Sequence, residues 1–250
     1  MKKIINWKTF FILLALGLVS VACVFPYVVT LQGELLKTIN VPLGTLFVAQ
    51  LFQCLILFSV AIFFGLIFTR KIGFELPLIE AGKEKGKKVL KDILGKSVLL
   101  GAGVAVAIYA LDALFAALGA TISTHQNIAP VWQKLLAAVY GGTTEEILMR
   151  LFLMTFLIWI GMKLFKQSKP TKAGIIIPIL LAAIIFGLGH LPITASLTQI
   201  DTLVVTRAII LNGIGGVVFG WLFWKKGLES AMIAHFTADI FLLTILPLLF

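Results

Sequence analysis

Charged side chains are scarce in this 250-residue chain, in which Asp, Glu, Lys and Arg make up 13% and hydrophobic residues make up 60%. Soluble globular domains average about 25% charged residues. The mean hydropathy of +1.08 also lies far above that of a soluble domain. This shortage of charge excludes an ordinary soluble domain and indicates a polytopic membrane protein.

Cysteine is almost absent as well, since Cys23 and Cys54 are the only two in the sequence. Both lie inside apolar runs, and they are too few and too isolated for a disulfide framework or a thiolate metal site. We interpret them as packing residues.

Long apolar runs are abundant, and seven of them are long enough to cross about 30 Å of hydrocarbon as helices. Because the backbone must satisfy its own polar groups where water is absent, we predict an all-α transmembrane helix bundle. We expect one integral membrane domain, residues 1–250, with about seven spans. The predicted spans are Phe10–Thr30, Val41–Thr69, Val98–Ala120, Thr144–Met162, Ala173–Leu191, Leu203–Trp224 and Leu228–Leu249.

A shorter amphipathic stretch, HQNIAPVWQKLLAAVY, precedes the fourth of these runs and ends at Tyr140. It is too short to span the bilayer comfortably. We predict an interfacial or re-entrant helix near residues 126–141, with an eighth span as the alternative.

Basic residues lie mostly on one side of the predicted spans. Of the 21 Lys and Arg, 17 fall before the first span or in the loops that follow spans two, four and six. Short loops rich in Lys and Arg stay cytoplasmic, so this pattern predicts a cytoplasmic N-terminus. The net charge of +10 is thereby explained without a nucleic-acid partner. We interpret GKEKGKKVLKDILGK as part of a solvated cytoplasmic loop, or alternatively as a segment on anionic lipid.

Charges inside the spans are the informative residues, because each costs about 2.5 to 3.5 kcal/mol at the centre of a membrane helix. Few residues belong to this group. They are Asp112, Glu145, Glu146, Arg150, Arg207 and Asp239, with His190 and His235 as titratable neighbours.

The stretch GGTTEEILMRLF holds three of these charges within six residues. We predict that Gly141 and Gly142 break the preceding helix and that Thr143 caps the next one in a capping box. Glu146 and Arg150 stand at i and i+4, the favourable order for a helical ion pair. Glu145 is rotated by about 100° from Glu146 and is left as a candidate base.

Two histidines on later spans complete this set of titratable residues. His235 and Asp239 stand at i and i+4 on the seventh span, where the acid can orient the imidazole. His190 ends the fifth span, one turn after Phe186. Carboxylates and histidines on three helices suit the activation of a water, by general-base catalysis or as ligands of a divalent metal.

Counting residues from the flanking lysines does not place these side chains at one depth in the membrane. Glu145 and His190 each lie 18 residues from a flanking lysine, whereas His235 lies only nine residues after Lys226. At 1.5 Å per residue, these separations are about 27 Å and about 14 Å. The sequence therefore predicts no common depth for the site.

Three motifs in order resemble those of a known family. EEILMR resembles EExxxR, FGLGH resembles FxxxH, and HFTAD resembles HxxxN/D. These are the signatures of the CPBP family of intramembrane proteases, which includes CAAX prenyl proteases and bacteriocin-processing or Abi proteins. The motif-bearing core is residues 141–240.

The resemblance implies a role for each motif residue. Glu145 would activate the water, and Glu146 with Arg150 would support it. His190, His235 and Asp239 would be metal ligands or oxyanion stabilisers, and Phe186 would support the second motif. The family leaves a metalloprotease and a glutamate protease open; in the former, His190, His235 and Glu145 would bind a divalent metal such as zinc. HExxH is absent, so any metal would need ligands from separate helices.

The resemblance further implies a multi-pass endopeptidase of a bacterial cytoplasmic membrane, in contact with lipid, that cleaves a hydrophobic or membrane-bound peptide. Pheromone and bacteriocin precursors are candidate substrates. The third motif ends in Asp239, where eukaryotic prenyl-processing members have Asn, and this departure weakens the inference of a prenylated CAAX substrate.

Two other classes remain as alternatives. A proton-coupled transporter would also keep buried acids and histidines, and Asp112, Arg207 and Asn212 offer further polar positions. A non-catalytic scaffold, such as a bacteriocin-immunity or regulatory membrane protein, could keep the fold without the activity. Such a scaffold need not retain both Glu145 and His235.

Overall fold

The computed structural model describes residues 5–120 and 129–249, and these ranges contain helices and no strand. The α-helices are α1 (Trp7–Leu31), α2 (Gly33–Thr38), α3 (Leu43–Ile72), α4 (Lys83–Ala117), α5 (Val131–Tyr140), α6 (Thr155–Leu164), α7 (Lys172–Gly189), α8 (Leu191–Ala195), α9 (Thr202–Lys226), α10 (Leu228–Ile240) and α11 (Leu246–Leu249). Three segments are π-helical, namely Gly141–Glu145, Ile147–Met154 and Phe241–Ile245.

Seven stretches of helix in the described residues are long and apolar enough to cross a membrane, which confirms the predicted all-α bundle. They are Trp7–Leu31, Leu43–Ile72, Lys83–Ala117, Val131–Leu164, Lys172–Ala195, Thr202–Lys226 and Leu228–Leu249.

The prediction of a separate short helix or eighth span before residue 141 is wrong for the described part of that stretch. α5 runs directly into the π-helical segment Gly141–Glu145, and the chain stays helical to Leu164. The fourth span therefore begins at Val131, about three and a half turns earlier than predicted. Residues 125–128 of the amphipathic stretch lie outside the described residues.

The basic stretch after the second span is helical, not the loop that we predicted. α4 begins at Lys83 and continues for 35 residues to Ala117. Lys, Leu and Glu are good helix formers, and an exposed Lys87–Glu84 pair at 3.3 Å adds a small stabilisation. The connection between α3 and α4 is reduced to residues 73–82.

α10 lies among several other helices and packs against α4, α5 and α9. Its buried side chains include Ala231, Ala234 and Ala238, which are at most 2% exposed. Small residues let helix backbones approach closely in a membrane protein. The seventh span therefore carries His235 and Asp239 into contact with the fourth span.

The start of α10 is also buried, and this accounts for the depth mismatch in the sequence. Gly227 turns the chain with φ of 93°, and the Glu229 carboxylate accepts hydrogen bonds from the backbone N–H groups of Leu78 and Ile79 at 2.9 and 2.7 Å. The Ser230 hydroxyl is 2.8 Å from that of Ser97. Because α10 begins inside the protein, a short residue count still brings His235 to the level of the glutamates.

Candidate active site

The helix that carries both glutamates is continuous through Gly141 and Gly142, so the predicted helix break and capping box are wrong. No side-chain cap bond is made at the start of the segment Gly141–Glu145. The glycines instead permit close packing. A Cβ on Gly141 would collide with the Asp239 carboxylate, and one on Gly142 would lie 2.7 Å from Cβ of Phe236. Glu145 therefore lies in the middle of a long helix and not in a first turn.

The π-helical geometry coincides with the first motif. Gly141–Glu145 and Ile147–Met154 are both π-helical, with only Glu146 between them. π-helical turns are rare and occur frequently at functional sites. These π-helical turns change the face of the helix on which the motif side chains lie. A sequence analysis that assumes 3.6 residues per turn does not predict that change.

Glu146 lies at the centre of a buried charged cluster. Its side chain is fully buried, with Oε1 2.7 Å from His235 Nδ1 and Oε2 3.3 Å from Arg150 Nε. Arg150 is 2% exposed and its Nη2 donates to the carbonyl oxygen of Gly216 at 3.3 Å. The structure confirms the predicted ion pair and adds His235 to it.

Glu145 faces a different environment from Glu146, as its rotation around the helix predicted. Its side chain is 22% exposed, and Oε2 lies 3.6 Å from His235 Nε2. The two glutamates therefore contact opposite nitrogens of one imidazole ring. Glu145 is the one whose carboxylate reaches a cavity.

Asp239 approaches the same ring nitrogen from the seventh span. Its Oδ1 lies 3.7 Å from His235 Nε2, and its side chain is 21% exposed. The distance exceeds that of a hydrogen bond. His235 Nε2 therefore faces two carboxylates, Glu145 and Asp239, on its open side.

His190 stands at the end of α7 and shares a cavity wall with Glu145. Its Nδ1 is 2.8 Å from the carbonyl oxygen of Phe186. A carbonyl only accepts, so Nδ1 carries the proton and Nε2 remains available. The Phe186 ring meets both imidazoles at right angles, with centroid distances of 4.7 Å to His190 and 5.9 Å to His235.

Phe219 is a part of this site that sequence reasoning missed. Its ring stacks on His235 at a centroid distance of 4.6 Å and an angle of 23°. The Arg150 guanidinium lies 5.1 Å from the Phe186 ring centroid and 5.6 Å from that of Phe219. One of 20 phenylalanines in an apolar chain carries no signal that would separate it from core residues.

A cavity of about 680 Å³ borders these residues. Its walls come from α1, α2, α3, α7 and the fourth span, and most of the lining side chains are apolar. Glu145, His190 and Tyr140 are among the polar groups that reach it. This volume is within the range of ligand-binding pockets.

A comparison with protein families finds a match that includes all three motifs. Residues 127–241 match the model of the family described as Rce1-like, Type II CAAX prenyl endopeptidase Rce1-like. Because residues 127–241 are similar to this family, we call them the Rce1-like segment. The match confirms the resemblance to CPBP intramembrane proteases that the three motifs indicated. Comparisons with curated proteins and with solved structures gave no match.

Within residues 5–120 and 129–249, no three His, Cys, Asp or Glu side chains are grouped to hold a metal ion. Glu146 engages Nδ1 of His235 and a backbone carbonyl engages Nδ1 of His190, so Nε2 is the ring nitrogen that each histidine could offer to a metal. The predicted set of His190, His235 and Glu145 is not grouped in this way among the described residues, and no step below passes through a metal.

The polar residues that favoured a transporter do not line the cavity beside Glu145. Arg207 and Asp112 form an ion pair between α9 and α4, with Nη2 2.5 Å from Oδ1. The Asn212 amide donates to the carbonyl oxygen of Ala208 at 2.9 Å, one turn earlier on its own helix. Partners within the protein therefore account for these polar side chains.

Proposed function

We propose that this protein is an intramembrane endopeptidase that hydrolyses a peptide bond in a hydrophobic or membrane-associated peptide, with Glu145 as the base. The observation that carries the proposal is the difference between the two motif glutamates. Glu146 is fully buried and paired, whereas Glu145 is 22% exposed at the wall of the cavity beside His235. Of the two glutamates, only Glu145 can reach both a water and a substrate in the cavity.

Glu145 acts first as general base and then as general acid. It takes a proton from water while the water oxygen bonds to the carbonyl carbon of the substrate. The resulting tetrahedral intermediate collapses when Glu145 delivers that proton to the leaving nitrogen and the C–N bond breaks. The same carboxylate therefore serves both halves of the hydrolysis, as a glutamate-type protease requires.

His235 stabilises the negative charge that develops on the carbonyl oxygen. Its Nδ1–H donates to Glu146, which fixes the ring orientation and directs Nε2 toward Glu145 and Asp239. When Nε2 is protonated it becomes a donor aimed at the reacting atoms. Phe219 stacks on the ring and holds it in this plane.

His190 and Asp239 complete the proposed machinery from two sides. His190 Nε2 is the ring nitrogen left for the cavity, where it accepts a hydrogen bond from the attacking water. Asp239 balances a protonated His235 across 3.7 Å. Arg150 and Phe186 support the site by fixing Glu146 and by packing against both imidazoles.

The substrate is a peptide held at the membrane, because the cavity beside Glu145 is mostly apolar and opens among membrane-spanning helices. We propose a bacterial cytoplasmic membrane as its location and pheromone or bacteriocin precursors as candidate substrates. Asp239 at the end of the third motif argues against restriction to a prenylated CAAX peptide.

The test is cleavage of a panel of membrane-associated peptides by purified protein in detergent or liposomes. Wild type is compared with Glu145→Ala, His190→Ala and His235→Ala, each with and without a chelator. We expect wild-type cleavage to survive chelation and each substitution to reduce it strongly. Cleavage that survives Glu145→Ala would contradict the mechanism, and cleavage that chelation abolishes would show that a metal takes part.

A further inference from the structure

Three glutamines line the cavity that Glu145 and His190 also line. Gln32 lies at the junction of α1 and α2, and Gln50 and Gln53 lie on α3. The chain has seven glutamines, and three of them line one largely apolar cavity. This concentration requires a physical reason.

The position of Gln50 and Gln53 along α3 makes it energetically unfavourable to leave their amides unpaired. α3 is a 30-residue helix that is apolar enough to span a membrane, and Gln53 lies about 15 Å from its start at 1.5 Å per residue. Both side chains are exposed. An amide that faces hydrocarbon without a hydrogen-bond partner is strongly unfavourable. Exposure to a polar occupant of the cavity removes this cost.

The spacing of the two residues places their amides on one face. Residues at i and i+3 are neighbours on a helix surface. Gln50 also lies close to the thiol of Cys54, one turn along α3. Gln53 is then the better placed of the two to bind a ligand.

A glutamine amide carries a carbonyl acceptor and two N–H donors, so it matches both groups of a peptide unit. An extended peptide cannot pair its own backbone N–H and C=O groups, and lipid offers no hydrogen-bond partners. The protein must therefore supply partners for them. Apolar walls would bind side chains of the peptide, while the glutamines bind its backbone.

We propose that Gln53, with Gln50 beside it, is a positioning residue that binds the backbone of an extended apolar peptide and holds the scissile bond against Glu145. The proposal rests on the endopeptidase function above and specifies its substrate class. Recognition through backbone groups makes the enzyme tolerant of side-chain sequence. It also makes an unfolded, extended segment a requirement.

Binding can be measured apart from cleavage by using Glu145→Gln as the background. The probes are a fluorescently labelled peptide of leucine and alanine and its analogue with N-methyl groups at alternate backbone nitrogens. N-methylation removes N–H donors and keeps the side chains. We expect N-methylation to weaken binding to Glu145→Gln by about 10-fold, and Gln53→Leu to weaken binding of the plain peptide by a similar factor.

The effects of Gln53→Leu and of N-methylation on peptide affinity should not be additive. If Gln53 binds the backbone, N-methylation should have little further effect in the Glu145→Gln, Gln53→Leu double variant. Gln167→Leu, which changes a glutamine outside the cavity, should leave both affinities unchanged. Leucine is a good helix former in an apolar helix, and an unchanged melting temperature of Gln53→Leu would confirm that the fold is intact.

Two results would overturn the proposal. One is equal binding of the plain and N-methylated peptides, with farnesol displacing both, which would assign the cavity to an isoprenoid chain. The other is full additivity of Gln53→Leu and N-methylation. If wild type cleaves peptides and Glu145→Gln does not, the proposed function stands whatever Gln53→Leu does, so the two ideas fail separately.

Discussion

At the scale of single residues, two adjacent glutamates have different environments and therefore different expected roles. Glu146 is fully buried against Arg150 and His235, and Glu145 lies at the cavity wall. The sequence predicted the Glu146–Arg150 pair from their spacing. It did not predict that Glu146 also binds His235, because that contact joins residues 89 positions apart.

Glu146→Gln should destabilise the fold far more than Glu145→Gln. Removing one partner of a buried ion pair leaves Arg150 uncompensated and costs about 3 to 5 kcal/mol. We expect the midpoint of denaturant or thermal unfolding in detergent to fall markedly for Glu146→Gln and to change little for Glu145→Gln. An equal loss of stability in both variants would contradict the assignment of Glu146 as the structural member.

At the scale of elements, the fourth span shows where sequence patterns succeed and where they fail. Its apolar character and its motif were readable, but the two glycines at its centre were misinterpreted as a helix break. Gly is an ambiguous signal, since it ends helices and also permits close packing. Only the position of α10, with Asp239 against Gly141, decides between the two.

Gly141→Ala should therefore damage both stability and activity. The new methyl group would displace the Asp239 carboxylate, and overpacking of this kind costs about 1 to 3 kcal/mol. Gly161→Ala is a matched control, because Gly161 lies later in the same span with no atom close to its added Cβ. We expect that control to be neutral or slightly stabilising in unfolding measurements. Equal behaviour of the two variants would contradict the close-packing role.

The depth of the site is a second feature that no local pattern predicts. His235 meets the fourth span because α10 begins inside the protein, where the connection between α3 and α4 binds Glu229. That contact joins residues about 150 positions apart. Hydropathy identifies a span but not the level at which it starts.

At the scale of the whole molecule, the seven spanning helices among the described residues and the distribution of lysines predict opposite locations for the two termini. This topology is tested by single cysteines in a background in which Cys23 and Cys54 are replaced by serine. We expect Lys88→Cys to react with a membrane-impermeant maleimide only after cells are opened, and Lys37→Cys to react in intact cells. The reverse pattern would show that the protein is inverted.

The bundle as a whole determines which glutamate meets the cavity, and the central claim is that Glu145 activates the water there. The most direct measurement is the rate of cleavage of one membrane peptide by wild type, Glu145→Gln and Glu75→Gln. Glu75 is an exposed glutamate in the connection before α4 and serves as the matched control. We predict a fall of about 10³-fold for Glu145→Gln and none for Glu75→Gln. Cleavage by Glu145→Gln at the wild-type rate would contradict the account.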